Sequence, residues 1–229
     1  MKSTVKKIIK KILFSSSRNE ANRFHCKKYI KGNNNIIKYN DNANLIDCTF
    51  NITGNNNTIV IDEFCSLKNV TFYINGSDNK IHLSQRVKFR GGGEIWIEDY
   101  QCEVEIGECS TFENVHLACT EPHSKIEIGR DCMFAYDIDV RTGDSHSILS
   151  SQTKKRINYA KNIKIGNHVW VASHVSILKG VQISDNTVIA TRSVVTKSFE
   201  EKNILIGGVV AKQIKSNIDW DRRRIYEDS

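Results

Sequence analysis

The tract RTGDSHSIL, residues 141–149, sets Asp144 two residues before His146 in a run of small and polar residues. A neutral imidazole, with an unperturbed pKa of ~6.5, can take a proton from a hydroxyl near pH 7. His146 is therefore a candidate general base; the plainer alternative is a surface loop that happens to carry a histidine. A base of this kind needs a partner on its second ring nitrogen. Asp144 is the nearest acid, and in an extended chain residues i and i+2 project to the same side. Asp137 and Asp139 are also close in sequence, and a backbone carbonyl would serve as well. A second candidate is Trp170, in the run VWV. If Val169 and Val171 point inward, alternation leaves the indole outside, free to wall a cleft or stack on a sugar face.

Something regular must position these groups. Ile165, Val171, Ile177, Ile183, Ile189 and Val195 are each six residues apart, and most are followed by a small residue, as in Gly166, Ala172, Ser184 and Ala190. A period of six fits neither a helix nor a simple hairpin sheet. It fits a chain that turns a corner every six residues, with one aliphatic per face pointing into a narrow core, so that three faces make a coil of ~18 residues. Upstream the step lengthens. GNNNII, GNNNTI and GSDNKI begin at Gly32, Gly54 and Gly76, and the pairs Ile59/Ile61, Ile81/Leu83, Val104/Ile106 and Ile126/Ile128 keep that spacing. These read as looser coils, with asparagine and glycine at positive-φ corners. A β-sandwich would explain the alternation but not the six-residue register. The expected architecture is all-β: a triangular solenoid of parallel strands.

The beat stops between Val140 and Ile163. A solenoid accepts an insertion only at a corner, so residues of about 143–162 are expected to protrude as a loop. It begins beside Arg141, carries His146 near its start, and holds Lys154, Lys155 and Arg156 near its tip. These four cations are candidates for attracting an acidic acceptor, or are a solvated loop tip.

The net charge of +7 is concentrated at one end. Residues 1–31 hold ten Lys/Arg and one acid, Glu20, against 23 basic and 25 acidic residues in the remainder. Val5, Ile8, Ile9 and Ile12 recur at helical spacing among lysines. The segment reads as a short amphipathic basic helix, packed on protein or docked through residues 1–14 on an anionic membrane surface. Nucleic acid is not expected, since a second basic patch is missing. No run approaches the ~20 apolar residues of a membrane span. The apolar N-terminal runs are too short for the ~7–15 residues of a secretory signal. A cytoplasmic location is expected, at most peripheral to the inner membrane. Seven scattered cysteines without a CxxC pair argue against disulfides or a zinc knuckle. His168 and His174 occupy equivalent places on successive faces and would point apart within one chain, so no metal site is expected. His116 and His123, in the looser coils, read as structural or exposed.

The run IGNHVWVASHVSILKGVQISDNTVIATRSVVTK resembles the signature of the hexapeptide-repeat, left-handed β-helix acyltransferases. RTGDSHSI followed by NHVW, with the later WDRRR, is similar to the bacterial polysaccharide O-acetyltransferase branch of that family, which includes the sialic and polysialic acid enzymes. The strong match spans roughly residues 126–215. The resemblance implies a left-handed parallel β-helix and a homotrimer with active sites between subunits. It implies acetyl-CoA as donor and a glycan hydroxyl as acceptor. It carries the base onto His146 and the cleft tryptophan onto Trp170, whose neighbouring amide would serve the thioester oxygen. The donor would run past Ala172, Ala190 and Thr191, with Lys179, Arg192, Lys197 and Lys212 as candidate anion-binding cations. The chain departs from the family pattern at Ala172, where glycine is usual, at Ala190, Thr191 and Arg192 in IATRS, and at Val210 in place of proline.

The expected organisation is a basic segment over 1–31, the β-helix over 32–197, and a C-terminal cap and tail over 198–229, with short helical segments at the ends and Trp220 and Tyr226 available for packing. The expected function is acetyl-CoA-dependent O-acetylation of a bacterial surface glycan, capsule or lipopolysaccharide, sialic acid-containing acceptors included. The alternatives are a non-catalytic β-helix that binds glycan or serves as a scaffold, a zinc carbonic-anhydrase-like protein, and a sugar-nucleotide N-acetyltransferase.

Overall fold

The computed structural model describes residues 24–226. Its strands stack in three faces. The first runs through Ile36–Tyr39, Thr58–Ile61, Lys80–Leu83, Glu103–Ile106, Lys125–Ile128, Ile163–Ile165 and Gln182–Ile183. The second runs from Ser66–Lys68 through Lys88–Phe89, Thr111–Phe112, Met133–Phe134, Trp170–Val171 and Val188–Ile189 to Leu205–Gly207. The third holds Val70–Asn75, Gly93–Glu98, Val115–Cys119, Ile138–Arg141, Ser176–Ile177 and Val194–Val195. Asn44–Thr53 joins the last two, pairing through residues 44–46 with the second face and through 49–53 with the third. All these pairings are parallel, and the chain visits the faces in rotation, which makes a three-sided prism.

The expected register is met in the pairing. Ile59 faces Ile81, Ile81 faces Val104, and Val104 faces Ile126. In the tighter coils Ile165 faces Ile183, Val171 faces Ile189, and Ile177 faces Val195. Along the inward columns, like stacks on like over several rungs. Phe50 lies on Phe72 with ring centroids 4.8 Å apart, and Phe112 sits 4.5 Å from Phe89 and 4.8 Å from Phe134. Above Phe134 the same column narrows to Val171 and Ile189 as the coils shorten. Each such side chain, fully buried, contributes about 1.5–3 kcal/mol.

The corners use the residues expected of them. Asn34, Asn56 and Asp78 take φ of 56°, 57° and 59°. One place further in, Asn57 and Asn79 are completely buried and form a ladder. Asn57 Nδ2 donates to Asn35 Oδ1 at 2.9 Å, Asn79 Nδ2 to Asn57 Oδ1 at 3.0 Å, and the Cys102 amide closes onto Asn79 Oδ1 at 2.8 Å. The ladder supplies backbone amides at the corner with acceptors; a buried amide left without one costs about 1–3 kcal/mol.

At the ends the expectations need adjustment. No helix occurs among the described residues, so the short helical segment expected at the C-terminus is replaced by strands and turns. The basic helix expected over residues 1–14 falls outside the described residues. Phe24–Lys31, at the end of the expected N-terminal segment, is a strand paired along Asn44–Thr53. At the other end, Lys212–Lys215 pairs antiparallel with Leu205–Gly207. The chain then turns back along the prism. Ile218 donates to the Asn203 carbonyl at 2.9 Å, Trp220 stacks on His168 at 4.1 Å, and Arg222 reaches Asp131 at 2.9 Å and the Cys132 carbonyl at 2.9 Å. Trp220 packs as expected, at 8% exposure, whereas Tyr226 is 83% exposed.

Candidate active site

The insertion leaves the third face after Arg141 and rejoins the first at Ile163, so it springs from the corner between those faces. It is a small hairpin. Leu149 bridges Arg156 in antiparallel fashion, and Ile157 donates to the Ile148 carbonyl at 2.9 Å. Its organiser is a residue that sequence reasoning passed over. Asn158, nearly buried, accepts from the Ile148 amide at 2.7 Å and Arg156 Nε at 3.1 Å, and donates to Asp144 Oδ2 at 2.9 Å and the His146 carbonyl at 2.8 Å. That uses the full hydrogen-bonding capacity of the amide. Glu121, from the coil below, grips Arg156 through both oxygens and accepts from the Ala160 amide at 3.2 Å. Apart from the Arg156–Asn158 bond, these contacts join residues 10 to 39 positions apart, so no local sequence pattern signals them.

His146 is exposed on the third-face side of the loop. It borders an open cleft of about 430 Å³ with Trp96, Ala118, Arg141, Gly143 and Ser145. Asp144 is not its partner. The His146 amide closes onto the Asp144 carbonyl at 2.7 Å around Ser145, whose φ is 63°. The chain is a tight turn there, and the same-side argument for i and i+2 does not apply. The Asp144 carboxylate instead accepts from Lys179 and Asn158. The Lys179 bond, reinforced by Asn158, holds its carboxyl below the usual carboxylate range. Asp139 is also engaged elsewhere: it takes two bonds from Arg141, at 2.6 and 2.8 Å, and lies 3.1 Å from His116 Nδ1. Burial pushes the Asp139 carboxyl up, but these bonds outweigh it and leave it low. Asp137 lies 2.7 Å from His174.

The other expected residues separate into distinct groups. Arg141 and Arg156 are each held by a carboxylate, while Lys154 and Lys155 stay exposed at the loop tip. Lys179 is committed to Asp144, and it shares the loop's corner with Lys197, whose ammonium lies 5.6 Å over the Phe199 ring. Ala172, Ala190, Thr191, Arg192 and Lys212 gather at the corner between the second and third faces. There Ala172, Ala190 and Gly207 stack in register; a methyl group on Gly207 would meet the Ala190 methyl at 2.8 Å. Lys212 pairs with Gly207. The seven donor-site candidates thus form two columns, not one.

Trp170 is half-buried on the second face, with Val169 and Val171 fully buried on either side, as alternation requires. Its own amide donates to the Thr187 carbonyl at 2.9 Å and is taken up by the ladder. Its ring lies 6.0 Å from Trp220. In a three-sided prism the second face is opposite the corner between third and first, from which the His146 loop springs. One chain therefore places His146 and Trp170 on opposite sides. His168 and His174 also diverge, toward Asp131 and Asp137. Among the described residues no group of three or more His, Cys, Asp or Glu could hold a metal ion.

A three-sided parallel prism with six-residue faces, one corner loop and a returning tail defines a left-handed β-helix protein of the hexapeptide-repeat type. No family model matches the chain. The polysialic acid O-acetyltransferase of Neisseria meningitidis is 34% identical over 125 residues, which are 55% of this chain and 58% of that protein. The galactoside O-acetyltransferase of Escherichia coli K12 is 30% identical over 142 residues, 60% of this chain and 68% of that one. The crystal structure of the polysialic acid O-acetyltransferase OatWY superposes with a TM-score of 0.81 at 32% identity, over 87% of this chain and 93% of that one. The chain belongs to the hexapeptide-repeat O-acetyltransferase family. It spans little more than half the length of the meningococcal relative.

Proposed function

We propose that the protein transfers an acetyl group from acetyl-CoA to a hydroxyl of a bacterial surface glycan, capsule or lipopolysaccharide, with His146 as general base. The carrying observation is the placement of His146 on a braced loop beside an open cleft, opposite Trp170 in the same chain. A head-to-tail ring of copies brings the base of one subunit toward the tryptophan of the next. This supports a homotrimer with its sites between subunits.

A sugar hydroxyl is a weak nucleophile at neutral pH. The imidazole takes its proton as the oxygen attacks the thioester carbonyl, and the C–S bond breaks as the ester forms. The same proton then passes to the departing thiolate. Base catalysis of this kind contributes typically ~10²–10⁴-fold. The stacked Ala172, Ala190 and Gly207 leave room for a slender chain against backbone, and Arg192 and Lys212 at that corner supply charge for phosphates. Galactosides and sialic acid polymers, named for the relatives, supply a neutral and an anionic acceptor to compare. The same reading keeps the protein in the cytoplasm, with residues 1–14 as the candidate contact to an anionic inner-membrane surface.

The test is release of free CoA thiol from acetyl-CoA in the presence of a glycan panel. Turnover that vanishes in His146→Ala, with the oligomer intact by sedimentation, supports the assignment. Normal turnover in that variant sinks it, and absence of acetyl-CoA binding by calorimetry favours a non-catalytic scaffold.

A further inference from the structure

We infer that the third face beside His146 carries a slot for one uncharged pyranose ring of the acceptor, stacked on Trp96, and that the acidic rim of this slot selects against anionic sugars. The inference rests on the acetyltransferase reading for its place in a reaction, and on the following geometry for the slot itself.

In-register parallel pairing aligns the outward positions Tyr73, Trp96, Ala118 and Arg141 in one column. Successive rungs are about 4.8 Å apart. Tyr73 covers one face of the Trp96 indole, with ring centroids 3.8 Å apart. On the other side the next rung is Ala118, whose one-carbon side chain ends short of the level of the indole and lines the cleft. Arg141 stands one rung beyond, about 9.6 Å from Trp96 along the column. A flat-sided ring in contact with the indole, at about 4–4.5 Å, occupies the missing rung. Ala118, only 7% exposed, is its floor, and the opening is flanked by Ser145 and His146. A hydroxyl on a ring held here lies toward the candidate base.

The charges at the rim point to the kind of ring. Glu94 and Glu98 stand two residues either side of Trp96 and line the same cleft. The cation facing them, Arg141, already gives two hydrogen bonds to Asp139. His116, beneath, lies 3.1 Å from Asp139 and 3.7 Å from Glu94. A carboxylate-bearing sugar would meet two carboxylates and an already neutralised guanidinium, well inside the ~8–10 Å over which salt leaves charges visible to each other. A neutral sugar instead offers hydroxyl donors to the same acceptors.

The experiment uses the purified full-length oligomer with a neutral hexose oligosaccharide and a sialic acid oligomer of equal length. Ala118→Leu fills the slot from an outward position, and Trp96→Ala removes its wall. The expected result is an acceptor KM raised about tenfold or more in both variants, an unchanged KM for acetyl-CoA, and a higher kcat/KM for the neutral acceptor. Glu94→Gln with Glu98→Gln should narrow that preference. Unchanged acceptor KM, a change confined to acetyl-CoA, or preference for the sialic acid oligomer overturns the slot. If the native protein acetylates nothing, the acetyltransferase reading fails, and the slot is judged by ligand-observed NMR with the neutral oligosaccharide. Binding lost in Ala118→Leu upholds it; binding that is absent or unaffected overturns it.

Discussion

The side-chain amide of Asn158 donates to the backbone carbonyl of His146 at 2.8 Å, from a nearly buried position twelve residues further along the chain. The candidate base is thus held by its main chain, while its ring bonds to no described residue. Asn158→Ala should leave the coils intact but release the loop. We expect a kcat loss of about 10–100-fold, with a stability loss of about 1–3 kcal/mol from the unpaired groups. Steady-state kinetics and urea unfolding check both. A fall in stability with kcat unchanged would assign Asn158 to folding alone.

Because His146 and Trp170 stand on opposite sides of one prism, they should complement each other between copies. His146→Ala and Trp170→Ala are each expected to be inactive. Co-expression as mixed oligomers should restore about a quarter of the sites, those joining an intact base to an intact tryptophan. Zero recovery in confirmed mixed oligomers would overturn a site shared between copies.

The Asp144–Lys179 contact makes the loop acid-sensitive. The folded carboxyl titrates below its unfolded value of ~3.9. Its contribution is therefore present above that value and is lost as pH falls through the folded one. Amide exchange of residues 143–162, corrected for intrinsic rate, should accelerate below about pH 4. In Lys179→Met the acceleration should already be present at pH 6.

Buried thiols should make the coils alkali-sensitive. Burial pushes Cys48 and Cys132 up to about 12 and Cys65 up to about 11. The unfolded thiols ionise near ~8.5 while the folded ones stay protonated, so stability is full below that pH and falls above it by about 1.4 kcal/mol per unit for each thiol. Urea midpoints should drop between pH 8 and 9.5, and replacing the three cysteines by alanine should flatten the slope.

The coils were legible because a solenoid repeats its constraints. Ile165 to Val195 mark successive faces directly, and the Gly32, Gly54 and Gly76 tracts mark a recurring corner. The limits of the insertion followed from where that rhythm failed. The outward placement of Trp170 followed from the valines beside it. What stayed hidden was everything that joins distant coils. Asn158 and Glu121 look like ordinary loop and turn residues until the fold brings Arg156 to them. Asp144 misled because its spacing from His146 assumed an extended chain, and Ser145 turns instead. The slot beside Trp96 also escaped notice, since Ala118 matters only as a neighbour of residues 22 and 23 positions away.

The returning tail has a consequence for how the molecule is made. Coils can settle one on another as the chain emerges, each needing only the one before. Arg222 belongs to a different schedule: it comes after every coil, yet it bonds Thr111 and Asp131, laid down about a hundred residues earlier. The clasp therefore closes last. Once shut, it opposes peeling from the C-terminal end, because Leu205–Gly207 cannot leave the stack without dragging Trp220 from His168. A molecule without Arg222 should assemble as quickly and come apart sooner.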